Sequence, residues 1–165
     1  MFSFLKKGKN QAPTSPDVLK AFLSGKVIPI EDVKDPVFSS KMLGNGLAIE
    51  PVNELIVSPC DGVISTVMTD SKHAVGITAS NGMELLIHEG IDTVALNGEG
   101  FTLFVNEGDK VKAGDKLIHF DAGLIQSKGY QVTCILAVTN SDAYPNMKLY
   151  TGMDAVAGET VILEP

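Results

Sequence analysis

The sequence lacks any apolar run approaching the roughly 18 residues that a membrane-spanning helix requires. Cysteine is scarce: Cys60 and Cys134 lie far apart, and neither belongs to a CxxC motif or to a Cys/His ligand cluster. This spacing argues against a disulfide framework or a zinc finger and favours a reducing compartment. The start of the chain has no apolar core of signal-peptide length, so we expect a cytoplasmic protein.

Basic residues are also in short supply, with 13 Lys and Arg against 20 Asp and Glu and a net charge of −7 at pH 7. A nucleic-acid-binding surface needs clustered basic residues, so we expect no nucleic-acid partner. An acidic surface of this kind instead favours encounters with a partner that presents a basic face.

The length of 165 residues suits a single domain. We expect a flexible tail over residues 1–16, which mixes polar residues with proline and glycine, and one domain over residues 17–165. Phe2, Phe4 and Leu5 stand beside lysines, so the tail could contact a membrane weakly, although a frayed terminus accounts for them equally well.

From residue 25 onward, short runs of Val, Ile, Leu and Thr are separated by turn residues every eight to twelve positions or so. This pattern predicts an all-β fold, an antiparallel sandwich or flattened barrel with a few short helical turns. The similar turn-rich segments 58–64 and 107–117 are typical of duplicated barrel-sandwich hybrids. Helix is expected only near 39–43 and 122–128. The predicted strands are 25–30, 47–50, 54–57, 62–68, 73–79, 83–87, 94–96, 101–104, 116–120, 132–138 and 160–163.

Two of the three histidines flank a hairpin signal, the dipeptide Asn81-Gly82, which favours a two-residue type I′ turn. That turn would pair Val75 with His88 and place His73 diagonally across from His88 on the same face. Diagonal neighbours are about 7–8 Å apart, which two imidazoles can bridge. A register shifted by one residue would put the rings on opposite faces.

Three interpretations of this pair stay open on the residues alone. A histidine beside an apolar run is often a structural core residue. A zinc site would need three or four ligands, and His119 is a further histidine but no third ligand can be identified. A nucleophilic histidine needs only one unprotonated nitrogen facing outward, with a second imidazole to stabilise the charge that develops.

The run Gly82–Val94, which contains Leu-Leu-Ile-His-Glu-Gly-Ile-Asp-Thr-Val, resembles the active-site motif of the glucose-type enzyme IIA family of the bacterial phosphoenolpyruvate-dependent sugar phosphotransferase system. The family's upstream His-Ala dipeptide is matched by His73-Ala74, 15 residues before His88, since 88 − 73 = 15. The segments 31–38 and 41–51 resemble the family's other long motif, and the resemblance spans about residues 23–164.

The resemblance implies a phosphotransferase component in which His88 accepts a phosphoryl group from phospho-HPr. That group would then pass to the cysteine of a IIB domain of a permease for glucose or a related sugar. His73 would stabilise the phosphoryl group, with Ser71 orienting His73 and Thr93 shaping the rim.

The resemblance also implies partners and ligands. The expected docking surface for HPr and IIB comprises Asp35, Pro36, Val37, Phe38, Met42, Leu43 and Asp92. No cofactor is required, although zinc could bind His73 and His88 in a partner complex. Regulated permeases or kinases are further expected partners, and membrane contact would come through the permease or the tail.

One residue departs from the family pattern: Glu89 occupies the usually apolar position after the active histidine. We expect its carboxylate to repel the phosphoryl group and to affect the choice of partner.

Two other functions compete with the phosphocarrier. One is a zinc hydrolase that uses His73, His88 and a carboxylate. The other is a biotinyl or lipoyl carrier, suggested by segment 107–117, but the tip of the Asn81-Gly82 hairpin carries no lysine to modify.

Overall fold

Residues 18–165 are described by the computed structural model, and within them the chain forms fourteen strands, two short α-helices and three 3₁₀ turns. The expected tail over residues 1–16, with its membrane contact, lies outside this range. The helices are α1 Pro36–Ser39 and α2 Ala122–Ser127. The strands are β1 Leu19–Lys20, β2 Gly25–Pro29, β3 Asn45–Pro51, β4 Leu55–Val57, β5 Gly62–Val67, β6 Ala74–Ala79, β7 Glu84–Ile91, β8 Phe101–Leu103, β9 Lys110–Val111, β10 Lys116–Phe120, β11 Gln131–Val138, β12 Lys148–Leu149, β13 Asp154–Ala155 and β14 Val161–Glu164.

The strands form one large sheet and two small ones. The large sheet has the order β13-β2-β3-β11-β7-β6-β5-β9, and the small sheets have the orders β4-β10-β8 and β1-β14-β12. All strand pairs are antiparallel. The predicted all-β antiparallel architecture with few helical turns is therefore confirmed.

The large sheet buries apolar side chains on both of its faces. One face meets the small sheets in the main core, in which Phe22, Ile87, Phe120 and Leu136 have no exposed area. The other face carries a smaller cluster, in which Ile135 and Ala48 lie beneath the segment that contains Val33 and Phe38. Because β7 and β11 lie in the middle of this sheet, alternate residues of each strand point into the two clusters.

Two predicted elements differ from the structure. The strand expected at 94–96 is instead a 3₁₀ turn, Thr93–Leu96, because Asp92 before it and Asn97 after it both adopt left-handed backbone conformations that interrupt an extended chain. The helix expected near 39–43 lies earlier, at Pro36–Ser39. Asp35 caps it by accepting a hydrogen bond from the Val37 N–H at 3.0 Å, and Pro36 occupies its first position.

The hairpin between β6 and β7 has a different register from the predicted one. Ala74 pairs with His88 and Thr78 pairs with Glu84, so three residues, 80–82, form the loop instead of two. The Asn81 side chain accepts the Met83 N–H at 2.9 Å, and within the loop only Gly82 has a positive φ. A type I′ turn needs positive φ at both central residues, which explains why it does not form here.

Candidate functional site

His88 lies in the centre of β7, on the face that carries the smaller apolar cluster. It pairs with Ala74 on one side and with Ile135 on the other, so its backbone is fixed by two neighbouring strands. The Phe38 ring packs against the imidazole with ring centroids 4.9 Å apart. Phe38 belongs to α1, so the short helix capped by Asp35 positions the ring that packs against one side of His88.

The His73 ring lies on the same face of the sheet as the His88 ring, although the strand register alone would place it on the opposite face. Its carbonyl accepts the Glu89 N–H at 2.7 Å, so His73 lies opposite Glu89, and strict alternation would direct it away from His88. His73 precedes the first residue of β6, however, and follows Lys72, whose φ is 58°. The pleat therefore does not fix its direction, and the rings of His73 and His88 meet edge to face, with centroids 4.6 Å apart at 90°.

Ser71 lies within hydrogen-bond distance of the His73 ring. Its Oγ lies 2.8 Å from His73 Nδ1, and the two residues are only 7% and 3% exposed. When the Ser71 hydroxyl donates to Nδ1, the neutral imidazole carries its proton on Nε2. That tautomer has an N–H donor on Nε2, which is compatible with the predicted roles of Ser71 and His73.

The two ring nitrogens of His88 have different surroundings. Nδ1 is buried and has no hydrogen-bond partner of good geometry among the described residues, although the Gly90 backbone lies close enough to raise the pKa of the ring. His88 as a whole is only partly buried, which leaves Nε2 as the nitrogen that can meet an incoming group.

Burial keeps both imidazoles neutral at physiological pH. Desolvation lowers the pKa of His73 to about 4, and the neighbouring His88 adds to the effect. Desolvation also lowers the pKa of His88, against the opposing influence of the Gly90 backbone and of the Asp35 and Asp92 carboxylates. A neutral His88 has a free lone pair, which is the form that attacks phosphorus.

The loop after β7 is hydrogen-bonded back to the strand that carries His88. Thr93 has no exposed area, and its hydroxyl donates to the Glu89 carbonyl. A side chain with no exposed area does not form part of the surface rim, as was expected of Thr93. Its hydroxyl instead stabilises the turn through the hydrogen bond to Glu89. Asp92 is exposed in a left-handed conformation, with its carboxylate close enough to affect the pKa of His88.

The expected docking surface is largely exposed. Val37 is 41% exposed and Met42 is 74% exposed, and Leu43 and Pro36 are also exposed. Phe38 is the exception at 4% exposure, because its ring is used to pack against His88. It therefore supports the site from the interior and offers little surface to a partner.

Glu89 points away from the site. It shares its face of β7 with Leu85 and Ile87, has no exposed area and pairs across the strands with Cys134. The expectation that its carboxylate repels the phosphoryl group is therefore wrong, since the sheet separates the two. Period-two alternation from Leu85 to Ile87 was the signal that could have placed Glu89 in the core.

Burial raises the pKa of the Glu89 carboxyl well above its ordinary value. Proximity to Cys134 opposes this shift, and the charge of Glu50 adds to it. Neither carboxyl oxygen has a hydrogen-bond partner of good geometry among the described residues. The raised pKa favours the neutral form of Glu89, which lies outside the reacting centre.

The described residues contain no group of three or more His, Cys, Asp and Glu side chains arranged to hold a metal ion. His119 is exposed in β10, in a different sheet from His73 and His88. Cys60 and Cys134 are buried free thiols, and burial raises the pKa of Cys60 to about 12. Across residues 18–165, no helix has the length and apolar character needed to cross a membrane.

An antiparallel β-sandwich that holds two neutral imidazoles edge to face, one of them with an outward nitrogen, has the features of a histidine phosphocarrier. The sequence model for the family described as phosphoenolpyruvate-dependent sugar phosphotransferase system, EIIA 1, matches residues 17–144. The chain belongs to this family. It is therefore a phosphotransferase component that carries phosphoryl groups in the sugar phosphotransferase system, as the resemblance predicts.

Known proteins support this assignment over nearly the whole chain. The glucose-specific EIIA component of Bacillus anthracis is 45% identical over 151 residues, covering 92% of this chain and 91% of that protein. The glucose-specific EIIA component of Oceanobacillus iheyensis is 42% identical over 164 residues, covering 99% and 98%. The solved structure of glucose permease IIA from Mycoplasma capricolum matches with a TM-score of 0.81 at 33% identity, covering 88% of this chain and 94% of that one.

Proposed function

We propose that Nε2 of His88 accepts the phosphoryl group from the phosphohistidine of HPr and passes it to the cysteine of a IIB domain. The permease that carries this domain would transport glucose, as the names of the relatives suggest. The observation that carries the proposal is the edge-to-face contact of the two imidazoles, with centroids 4.6 Å apart and Ser71 on the far side of His73.

Each transfer balances as an in-line displacement at phosphorus. In the first, the Nε2 lone pair of His88 forms a bond to phosphorus while the bond to the nitrogen of the donor histidine breaks. In the second, the thiolate of the IIB cysteine attacks and the bond to His88 breaks. The protein supplies position and charge stabilisation for both steps.

His73 supplies that stabilisation. With Ser71 donating to Nδ1, the Nε2–H of His73 would point to the space beside His88 where phosphoryl oxygens would lie. Because the ring is buried and oriented before the reaction, little reorganisation is needed when charge develops. The lowered pKa keeps His73 a neutral donor.

The partners would dock on the exposed apolar collar formed by Pro36, Val37, Met42 and Leu43 beside the site. Asp35 and Asp92 flank the same ring, and both influence the pKa of His88. Basic groups on HPr and IIB would pair with these carboxylates, which would speed the encounter and favour the correct partner.

The location, ligands and regulation follow from the same function. The carrier would act in the cytoplasm without a resident cofactor. Zinc could bind to His73 and His88 only if a partner supplied the remaining ligands, because two imidazoles are fewer than the three or four protein ligands that zinc normally takes. The phosphorylation state of His88 could also regulate permeases or kinases.

Reconstitution with phosphoenolpyruvate, enzyme I and HPr tests the proposal. His88→Ala should acquire no acid-labile phosphate. His73→Gln should acquire phosphate on His88 but transfer it to a IIB domain about 10²–10³ times more slowly, as when a preorganised hydrogen-bond donor is altered.

His119→Gln is the matched control, because it alters an exposed histidine in another sheet. It should label and transfer like the parent. Normal labelling of a folded His88→Ala variant would contradict the assignment of the phosphoacceptor.

A further inference from the structure

Gly90 lies near the end of β7, two residues after His88, where the strand leaves its regular extended form. Its φ is 82°, a left-handed value that interrupts the alternation of the strand. The Gly90 backbone raises the pKa of His88. A carbonyl that accepts from the ring has this effect, whereas a backbone N–H donor would lower the pKa. The group beside the ring is therefore the Gly90 carbonyl.

The Nδ1 atom of His88 is the ring nitrogen that this carbonyl can serve. Nδ1 is buried and has no other hydrogen-bond partner of good geometry among the described residues. Hydrogen bonds at catalytic sites are often long or poorly aligned before the partner binds, and they tighten during the reaction. A proton kept on Nδ1 leaves the lone pair on Nε2, so an acceptor at this position selects the tautomer that can attack phosphorus.

Thr93 packs against Gly90 from the interior of the protein. Thr93 has no exposed area. A side-chain carbon built on Gly90 would lie 3.0 Å from the Thr93 Oγ1 and 2.9 Å from the Gln131 carbonyl oxygen, closer than such carbons normally approach. The Thr93 side chain therefore limits how far the Gly90 backbone can move towards the interior.

The Thr93 hydroxyl also fixes the peptide group that precedes the Gly90 Cα. It donates to the Glu89 carbonyl, which belongs to the same planar unit as the Gly90 N–H. On the other side of Glu89, its N–H donates to the His73 carbonyl at 2.7 Å. The backbone between the two histidines is thus held at both ends of Glu89, and the Thr93 bond is the one that lies next to Gly90.

We propose that Thr93 is a positioning residue for phosphoryl transfer. Its hydroxyl holds the peptide between Glu89 and Gly90 so that the Gly90 carbonyl accepts a hydrogen bond from Nδ1–H of His88. The inference rests on the proposed role of His88 as the phosphoacceptor. As Nε2 bonds to phosphorus and the bond to the donor nitrogen breaks, the ring becomes more positive and keeps its proton on Nδ1. The carbonyl dipole stabilises that charge where it develops.

Nitrogen-15 NMR of the imidazole rings tests the proposal on the full chain, at a pH where both histidines are neutral. In the parent, His88 should carry its proton on Nδ1. Thr93→Val keeps the shape of the side chain but removes the hydroxyl, so the Nε2–H tautomer of His88 should become detectable. Transfer from phospho-HPr should slow about tenfold, the scale of one lost hydrogen bond. The HPr concentration that gives half of the maximal rate should not change, because the docking surface is intact.

Two further variants separate positioning from stability. Thr93→Ser keeps the hydroxyl, so it should retain the parent tautomer and most of the parent rate. Thr133→Val is the matched control, because Thr133 is only 3% exposed and its hydroxyl donates to the Glu50 carboxylate at 2.6 Å. It should lower stability as Thr93→Val does, but leave the His88 tautomer and the transfer rate unchanged.

A parent protein in which His88 carries its proton on Nε2 would overturn the proposal, and this result does not require any variant to fold. Equal effects of Thr93→Val and Thr133→Val on the tautomer and the rate would overturn it too, as would a Thr93→Ser variant that loses the Nδ1–H tautomer. The NMR measurement needs no phosphate. Phosphate on a folded His88→Ala variant would instead contradict the phosphocarrier function and leave the tautomer result standing.

Discussion

Two neighbouring residues of β7, His88 and Glu89, show how differently the two faces of one strand use a titratable group. His88 lies on the face of the smaller cluster, with an imidazole partner at 4.6 Å and an accessible side. Glu89 lies in the main core with no exposed area and no well-formed hydrogen bond to its carboxyl oxygens among the described residues.

Burial shifts both pKa values towards the neutral form, downward for the imidazole and upward for the carboxyl. On the site face, a neutral imidazole keeps the free lone pair that the proposed phosphoacceptor needs. On the core face, it only limits the cost of placing a carboxyl among apolar side chains. The same physical effect would therefore serve the proposed phosphoryl transfer on one face, while on the other face the buried carboxyl lowers the free energy of unfolding.

Phe38→Ala should produce the largest effect on the site face. It removes a buried ring that packs against His88, and we expect the free energy of unfolding to fall by about 3 kcal/mol. The pKa of His88 should rise towards its ordinary value as water reaches the ring. Urea denaturation and histidine NMR titration measure the two effects.

Val37→Ala is the control for that variant, because it truncates an adjacent side chain that is 41% exposed. Its stability and the pKa of His88 should stay close to those of the parent. An unchanged pKa of His88 in Phe38→Ala would show that Phe38 does not shield the imidazole.

Glu89→Leu should stabilise the packing on the core face of β7 without affecting His88 on the other face. It replaces an unsatisfied buried carboxyl with an apolar side chain of similar size, so the free energy of unfolding should rise by about 1–3 kcal/mol. Phosphate labelling of His88 should be unchanged, because the sheet separates the two side chains. A loss of stability would mean that the Glu89 carboxyl has a partner that the structure does not reveal.

Glu89→Gln should change the pH dependence of stability by a smaller amount. The folded-state pKa of Glu89 is raised, so its contribution is fully present below the ordinary value of 4.5 and is lost as pH rises through the folded value. The stability of the parent relative to this variant should therefore fall as pH rises above the ordinary value of 4.5.

The contribution of His73 to stability changes with pH in the opposite direction. The parent and Glu89→Gln both retain His73, so its contribution cancels when they are compared. Its pKa is lowered from 6.5 to about 4, so its contribution is present above 6.5 and is lost as pH falls towards 4. Glu107→Gln, at an exposed position, is the control and should follow the parent. Parallel pH profiles for the parent and Glu89→Gln would contradict the raised pKa of Glu89.

The sequence was sufficient to predict the all-β fold because short apolar runs and turn residues are local signals. It was also sufficient to predict that His73 and His88 meet, although the reasoning from hairpin register was wrong. Asn81 uses its side chain as a hydrogen-bond acceptor, which selects a three-residue loop. The His73 and His88 rings meet even so, because His73 precedes the regular strand and follows Lys72, which has a left-handed backbone conformation.

Other features depend on tertiary structure that local patterns do not contain. Phe38 was expected at the surface, but whether an apolar residue of a short connector is buried depends on the sheet below it. The 3₁₀ turn at Thr93 depends on the left-handed conformations of Asp92 and Asn97, which residue type alone does not require. The roles of Ser71 and of the docking residues stay predictions, although the geometry is compatible with them.

Nitrogen-15 NMR of the histidine side chains, recorded before and after phosphorylation by enzyme I and HPr, tests the His73 and His88 arrangement most directly. We predict that the phosphoryl group appears on Nε2 of His88, and that the His73 resonances shift while its ring stays neutral with the proton on Nε2. Phosphorylation at Nδ1 of His88 or on the His73 ring would contradict the account.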